Sequence, residues 1–205
     1  MYINKYLCDM GFIIFVIFLS LVFSLFFSKL KKGKVGQLAK LFRIASVVFA
    51  VSVFTYWFIQ KSAVRIVNDS LSLQVINKLP QPLDFYVINI NNLDKNTPLE
   101  TKHIGKIRPE YYRIEYLKMN KSDEYWIAGY LGKKNLVYFS QHSVPNKNMD
   151  QMIEVQNYIN QSEKLSAIAK KEIEEDNYQN MLMGIWVTLC FLLLFLNFVL
   201  LVRKK

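Results

Sequence analysis

Apolar positions cluster in three long stretches. No residue from Gly11 to Ser28, from Ile44 to Gln60 or from Met181 to Val202 is charged. A helix needs about 20 mostly apolar residues to cross the hydrocarbon core of a bilayer. A chain in lipid must also satisfy its backbone polar groups within the segment, which helices do. The pattern therefore predicts three transmembrane helices, with boundaries at 1–28 (including a short N-terminal tail), 44–61 and 181–202. A soluble core is the competing explanation, but the remaining residues are too few to wrap three such helices.

Between the second and third stretches the period changes. Leu71-Ser72-Leu73-Gln74-Val75 alternates apolar and polar, the signature of a half-buried strand. Leu79-Pro80-Gln81-Pro82 breaks the ladder because proline has no N–H to donate. Further strands are expected over 84–90, 101–107, 111–119, 124–131 and 136–141, with turns at Asn120-Lys121-Ser122-Asp123 and Gly132-Lys133-Lys134-Asn135. The 124–131 stretch is apolar on both faces, which suits a central strand. Short strands with turn signals between them predict a small β-sandwich or open barrel over 62–145.

After Pro145 the texture becomes helical. Residues 149–178 contain no Gly or Pro and are rich in Glu, Lys, Gln and Ala. Met152, Val155 and Ile159 mark one stripe, continued by Leu165, Ile168 and Ile173. A helix over 146–180 that runs on into the third span is the expectation. The predicted class is thus an α+β membrane protein, with three spans, a β-domain and a connecting helix.

Charge gives this arrangement a direction. The formal net charge is +10, a value that invites a nucleic-acid reading. Yet 61–180 holds 16 basic and 15 acidic residues, so the domain is nearly neutral and lacks a basic face. The excess sits in 29–43 (Lys29, Lys31, Lys32, Lys34, Lys40 and Arg43, with no acid) and in the tail 203–205. Short loops rich in Lys and Arg stay in the cytoplasm. The expected topology has the N-terminus outside, 29–43 and 203–205 in the cytoplasm, and 62–180 outside. Tyr56, Trp57 and Trp186 then fall at the outer interface, where aromatic rings belong. A cleaved leader is disfavoured, because the first apolar run is long and Phe26-Phe27-Ser28 is a poor cleavage site. The excess of Lys over Arg, with abundant Asn and Ile, points to a bacterial inner membrane. The cysteines, Cys8 and Cys190, both lie outside the β-domain, which must therefore fold without a disulfide.

Candidate chemistry is sparse. Ser20, Ser24 and Ser28 recur every fourth residue in the first span, as do Ser46 and Ala50 in the second. Small residues at this spacing let helix backbones approach closely, and they are the candidate helix-packing residues. The 29–43 lysines and Arg43 are candidates for contact with anionic lipid heads. Among the domain's many aromatics, Tyr111, Tyr125 and Trp126 are the candidate outer interaction patch, since Tyr and Trp suit interfaces. His103 and His142 lie on separate predicted strands, and a metal site there would need a carboxylate such as Glu100 or Glu110 brought in by folding. Ser140-Gln141-His142-Ser143 holds hydrolase residue types, but adjacency in sequence is no evidence of triad geometry. No catalytic, cofactor or metal residue is assigned, and no cofactor is expected. The resulting expectation is a non-catalytic accessory or assembly subunit of a membrane protein complex. Its partners would be other integral membrane subunits and lipids, with self-association allowed and no nucleic acid. The alternative is an extracytoplasmic ligand-binding sensor that signals through its membrane helices to a separate effector.

Overall fold

In the computed structural model the described residues are 2–27, 33–62, 70–91, 99–119 and 122–203. Among them the chain forms three helices and two sheets: α1 (Tyr2–Phe27), α2 (Gly33–Ser62), β1 (Ser70–Asn77), β2 (Leu83–Asn91), β3 (Glu100–Ile107), β4 (Tyr112–Lys118), β5 (Ser122–Leu131), β6 (Asn135–Ser143), β7 (Gln151–Val155) and α3 (Glu163–Val202). It divides into two compact units, one built on Ile66–Tyr178 and the other on Asn4–Arg65 with Gln179–Lys205.

In the β unit, one sheet has the order β4-β1-β7 and the other β3-β2-β5-β6. Alternation decides which side chains go inward. Leu71, Leu73 and Val75 of β1 and Leu117 of β4 share one buried core with Phe85 and Val87 of β2, Ile104 and Ile107 of β3, and Tyr125 and Ile127 of β5. The opposite face of the four-stranded sheet is covered as well. There Tyr86, Ile88, Trp126, Ala128, Tyr130 and Phe139 pack against Ala169 and Ile173, in the first half of α3. Asn77 pins the proline break: its side-chain N–H donates to the carbonyls of Gln81 and Ile107, and its Oδ1 accepts from the Leu79 N–H. Gly132 takes φ 71°, as the tight turn between β5 and β6 requires.

The structure departs from the sequence pattern between 149 and 162. The expected helix is absent there: β7 lies parallel to β1 and inserts Val155 into the shared core. Met152 and Val155, three apart, would share a helix face, but the strand sends them to opposite sides, with Met152 exposed and Val155 buried, and pairing with β1 decides between the two. The helix begins only at Glu163, where Ser162 Oγ accepts the Leu165 N–H at 3.3 Å and caps the first turn. A second departure concerns 33–43, expected as loop. Its Leu, Lys, Ala and Arg residues are good helix formers, and α2 starts at Gly33.

In the helical unit, Ile14, Ile17 and Leu21 of α1, Ala50 and Phe54 of α2, and Cys190 of α3 form the core. Two helices, over Gly33–Ile59 and Glu163–Val202, are long and apolar enough to cross a membrane, while α1 adds the shorter apolar stretch Gly11–Phe27. Protein covers little of this apolar surface. In the most apolar 18-residue stretch of each, only 11% of α3 and 28% of α2 is buried.

Candidate functional site

Three polar or aromatic arrangements stand out, each built by a different element pairing. The first is a polar layer inside the helical unit. Ser24 Oγ donates to Asn197 Oδ1 at 2.7 Å, and Asn197 Nδ2 donates to the Leu21 carbonyl at 3.1 Å. Arg43 Nη2 reaches the Ser24 carbonyl at 3.5 Å, so α1, α2 and α3 meet at one level. Ser24 and Asn197 are fully buried, and Arg43 is 9% exposed with its Nε lacking a hydrogen-bond partner. Ser46 and Ala50 are also buried, whereas half-buried Ser20 bonds back to the Ile17 carbonyl of its own helix. Ser28, Lys29, Lys31 and Lys32 lie outside the described residues; Lys34 and Lys40 are exposed on α2.

The second arrangement is a pair of histidine contacts on opposite faces of the four-stranded sheet. A register shift after Phe85 sets His103 of β3 opposite Tyr86, and the rings stack at 4.4 Å. His103 Nε2 lies 2.7 Å from Asp84 Oδ1, at the surface. His142 of β6 turns the other way, stacks on Tyr125 at 5.2 Å and shares a 2.8 Å hydrogen bond with Ser140 Oγ. Burial pushes the His142 imidazole below its ordinary pKa. Ser140 is 1% exposed and His142 half-buried, so the Ser–His contact sits at the margin of the core. The sheet thus separates the two histidines, and neither Glu100 nor Glu110 joins them. Among the described residues, no three His, Cys, Asp or Glu side chains gather as metal ligands do.

The third arrangement is an aromatic face. On β4, Leu117 points into the core, and Tyr112, Ile114 and Tyr116 point away from it. These three are 57%, 46% and 58% exposed, far beyond what a covered sheet allows. Register carries the face across the sheet: Tyr112 pairs with Ile76, and Ile114 with Gln74, which in turn pairs with Met152 of β7. Tyr116 sits opposite Ser72. Tyr111, just before β4, is exposed as well.

This corrects the expected outer patch. Tyr111 is at the surface, but Tyr125 is fully buried between the sheets and Trp126 is 6% exposed beneath α3. The reason lies in β5 itself: a strand apolar on both faces occupies the middle of a sheet and is covered on both. Burial also pushes the Tyr130 hydroxyl up to about 12, and raises Tyr125 further. The residues that do form the outer face show a period-two run of large side chains in sequence (Tyr112, Ile114, Tyr116), a pattern that marks one face of the strand without saying whether that face is covered. No protein-family model, curated protein or solved structure matches the chain.

Proposed function

We propose that this chain is a non-catalytic accessory or assembly subunit of a membrane protein complex, which presents the Tyr112–Ile114–Tyr116 face to a protein partner. In this reading α1, α2 and the second half of α3 are three membrane spans. The basic residues of 29–43 and 203–205 hold those ends in the cytoplasm of a bacterial cell, and the β unit stands outside as a small two-sheet sandwich. The exposed aromatic face is the observation that carries the proposal. Tyr and other large apolar side chains gathered on an open sheet face lose water-exposed area on docking, and tyrosine adds a hydroxyl for hydrogen bonding at an interface. The polar layer of Ser24, Asn197 and Arg43 supports three spans packed together, because buried polar groups in lipid find partners on neighbouring helices.

A photo-crosslinking residue at Ile114, in the full-length chain in its native membrane, tests this. The expected result is an adduct with another integral membrane protein, lost when Tyr112 and Tyr116 are both changed to Ser. The same probe at buried Val87 should give none. A chain that crosslinks to nothing at Ile114 and extracts as a lone monomer sinks the proposal, and a small-molecule thermal shift in that monomer would favour the sensor reading.

A further inference from the structure

We infer that two copies of this chain pair edge to edge through β4, antiparallel and centred on Ile114. The inference concerns the rim of the sheet whose face is assigned above to a partner, and it stands without that partner. Among the described residues the sheet edges are β4, β7, β3 and β6. Along β6 the chain itself returns: the Phe139 N–H donates to the Ile159 carbonyl at 2.7 Å, and the Gln161 N–H to the Phe139 carbonyl at 3.1 Å. The ladder of β3 is interrupted by the register shift at Phe85/Tyr86 and by Gly105 at φ 96°. β7 is only five residues long. β4, by contrast, has seven residues, no proline or glycine, and an unbroken register with β1. An edge so long and regular is a ready template for another strand. Lys102 Nζ reaches over it to donate to the Tyr116 carbonyl at 3.1 Å, but a carbonyl keeps a second lone pair.

Register and charge select a second copy as the occupant. In an antiparallel ladder, alternate residues turn their N–H and C=O groups to opposite sides of the strand. The Asn77 N–H donates to the Tyr111 carbonyl, so the odd-numbered residues of β4 bond β1. Tyr112, Ile114 and Tyr116 then turn theirs to the open edge, the direction that the Lys102 bond to Tyr116 also marks. A second β4 must set even-numbered residues opposite even-numbered ones. Centred on 113, such a pair opposes Arg113 to Arg113; centred on 115, it opposes Glu115 to Glu115. Centred on 114, Arg113 of each copy faces Glu115 of the other, and Tyr112 lies opposite Tyr116 on either side of the two Ile114 residues. Centres further along the strand match no charges. Arg113 Nη1 already donates to the Ile104 carbonyl at 2.5 Å, and Glu115 pairs with Lys102 at 2.7 Å. A guanidinium and a carboxylate each have bonding capacity beyond one such contact. The 112–116, 114–114 and 116–112 pairs exchange about six hydrogen bonds between the copies. The two three-stranded sheets become one, and their exposed aromatic faces lie on the same side of it.

Oxidative cysteine crosslinking of the full-length chain in its native membrane tests this, with Cys8 and Cys190 replaced by Ser. Ile114→Cys should form a covalent dimer, because directly opposed residues of a bonded pair lie about 5.5 Å apart at Cα, within disulfide reach. Tyr112→Cys alone should stay monomeric, since its two copies lie roughly 13 Å apart along the strands. Adding Tyr116→Cys to it should restore the crosslink, and this pair reads the same register without touching Ile114. Glu115→Arg should cut the Ile114→Cys dimer about fivefold, and exchanging the charges with Arg113→Glu should recover it. Thermal midpoints of the same variants in detergent separate a lost contact from a lost fold. A folded chain in which neither Ile114→Cys nor the Tyr112→Cys/Tyr116→Cys pair dimerises overturns the proposal. So does equal crosslinking by Tyr112→Cys alone, or a full yield of dimer with Glu115→Arg. Ile114→Cys joined to a different protein would give the edge to that partner, overturning the dimer while the reading of the aromatic face survives.

Discussion

Tyr125 and Trp126 are neighbours on β5, yet one side chain enters the core between the sheets and the other lies under α3. Composition makes both candidates for an interface, and only the position of their strand sends both inside. His142, stacked on Tyr125, is half-buried, and this burial lowers its pKa. The folded imidazole takes a proton only at lower pH than in the unfolded chain, where it does so near the ordinary value of about 6.5. Protonation therefore favours unfolding. The contribution of a neutral His142 is complete above about pH 6.5 and is lost as pH falls toward its folded pKa. Melting of the wild-type chain and of His142→Gln, followed in detergent between pH 7 and pH 5, should show a steeper acid loss for the wild type. Parallel curves would remove His142 from the account. Gly105 shows the same dependence on surroundings. It takes φ 96°, and a Cβ there would meet Arg113 Nη1 at 2.6 Å, where the guanidinium bonds the Ile104 carbonyl and ties β4 to β3.

At the scale of elements, β7 and α3 divide a segment that has a single helical texture in sequence. Residues 149–178 carry no breaker, but β1 has an open edge and Val155 a place in the core, so 151–155 pairs and Ser162 starts the helix later. Propensity is a weak prior against such an edge. Within the helical unit, the polar layer is the element-scale device that sets which levels of α1, α2 and α3 meet. Asn197→Leu leaves the Ser24 hydroxyl to its own helix and removes the bond to the Leu21 carbonyl. Interhelical hydrogen bonds in membrane proteins contribute about 0.6 kcal/mol on average and up to roughly 2 kcal/mol. A loss in that range is expected in an SDS unfolding titration of the detergent-solubilised protein. A stabilised Asn197→Leu would show that packing alone holds the three helices at this level.

The whole molecule combines a neutral β unit with a helical unit whose acids number one, Asp9, against a large excess of Lys and Arg. That asymmetry carries the proposed topology. Single cysteines at Lys133, in the exposed turn before β6, and at Lys34 give the check. With Cys190 buried and both native cysteines replaced by Ser, a membrane-impermeant maleimide should label position 133 in intact cells and position 34 only after permeabilisation. The reverse pattern would invert the orientation, and labelling of both sites in intact cells would end the three-span reading.

The apolar runs, the near-neutral domain and six of the seven described strands are legible in sequence, because each depends on a local property: length of an uncharged stretch, a two-residue period, a turn former at the right place. The burial of Tyr125 and Trp126, the exposure of Tyr112, Ile114 and Tyr116, the strand at β7 and the meeting of Arg43 with Ser24 and Asn197 are not. Each is decided by which element lies opposite, and that choice depends on pairing between residues far apart in the chain. Sequence determines that this protein has apolar helices and an aromatic β-domain. Tertiary structure alone decides which of its aromatics remain at the surface, because a side chain's exposure belongs to its neighbours in space.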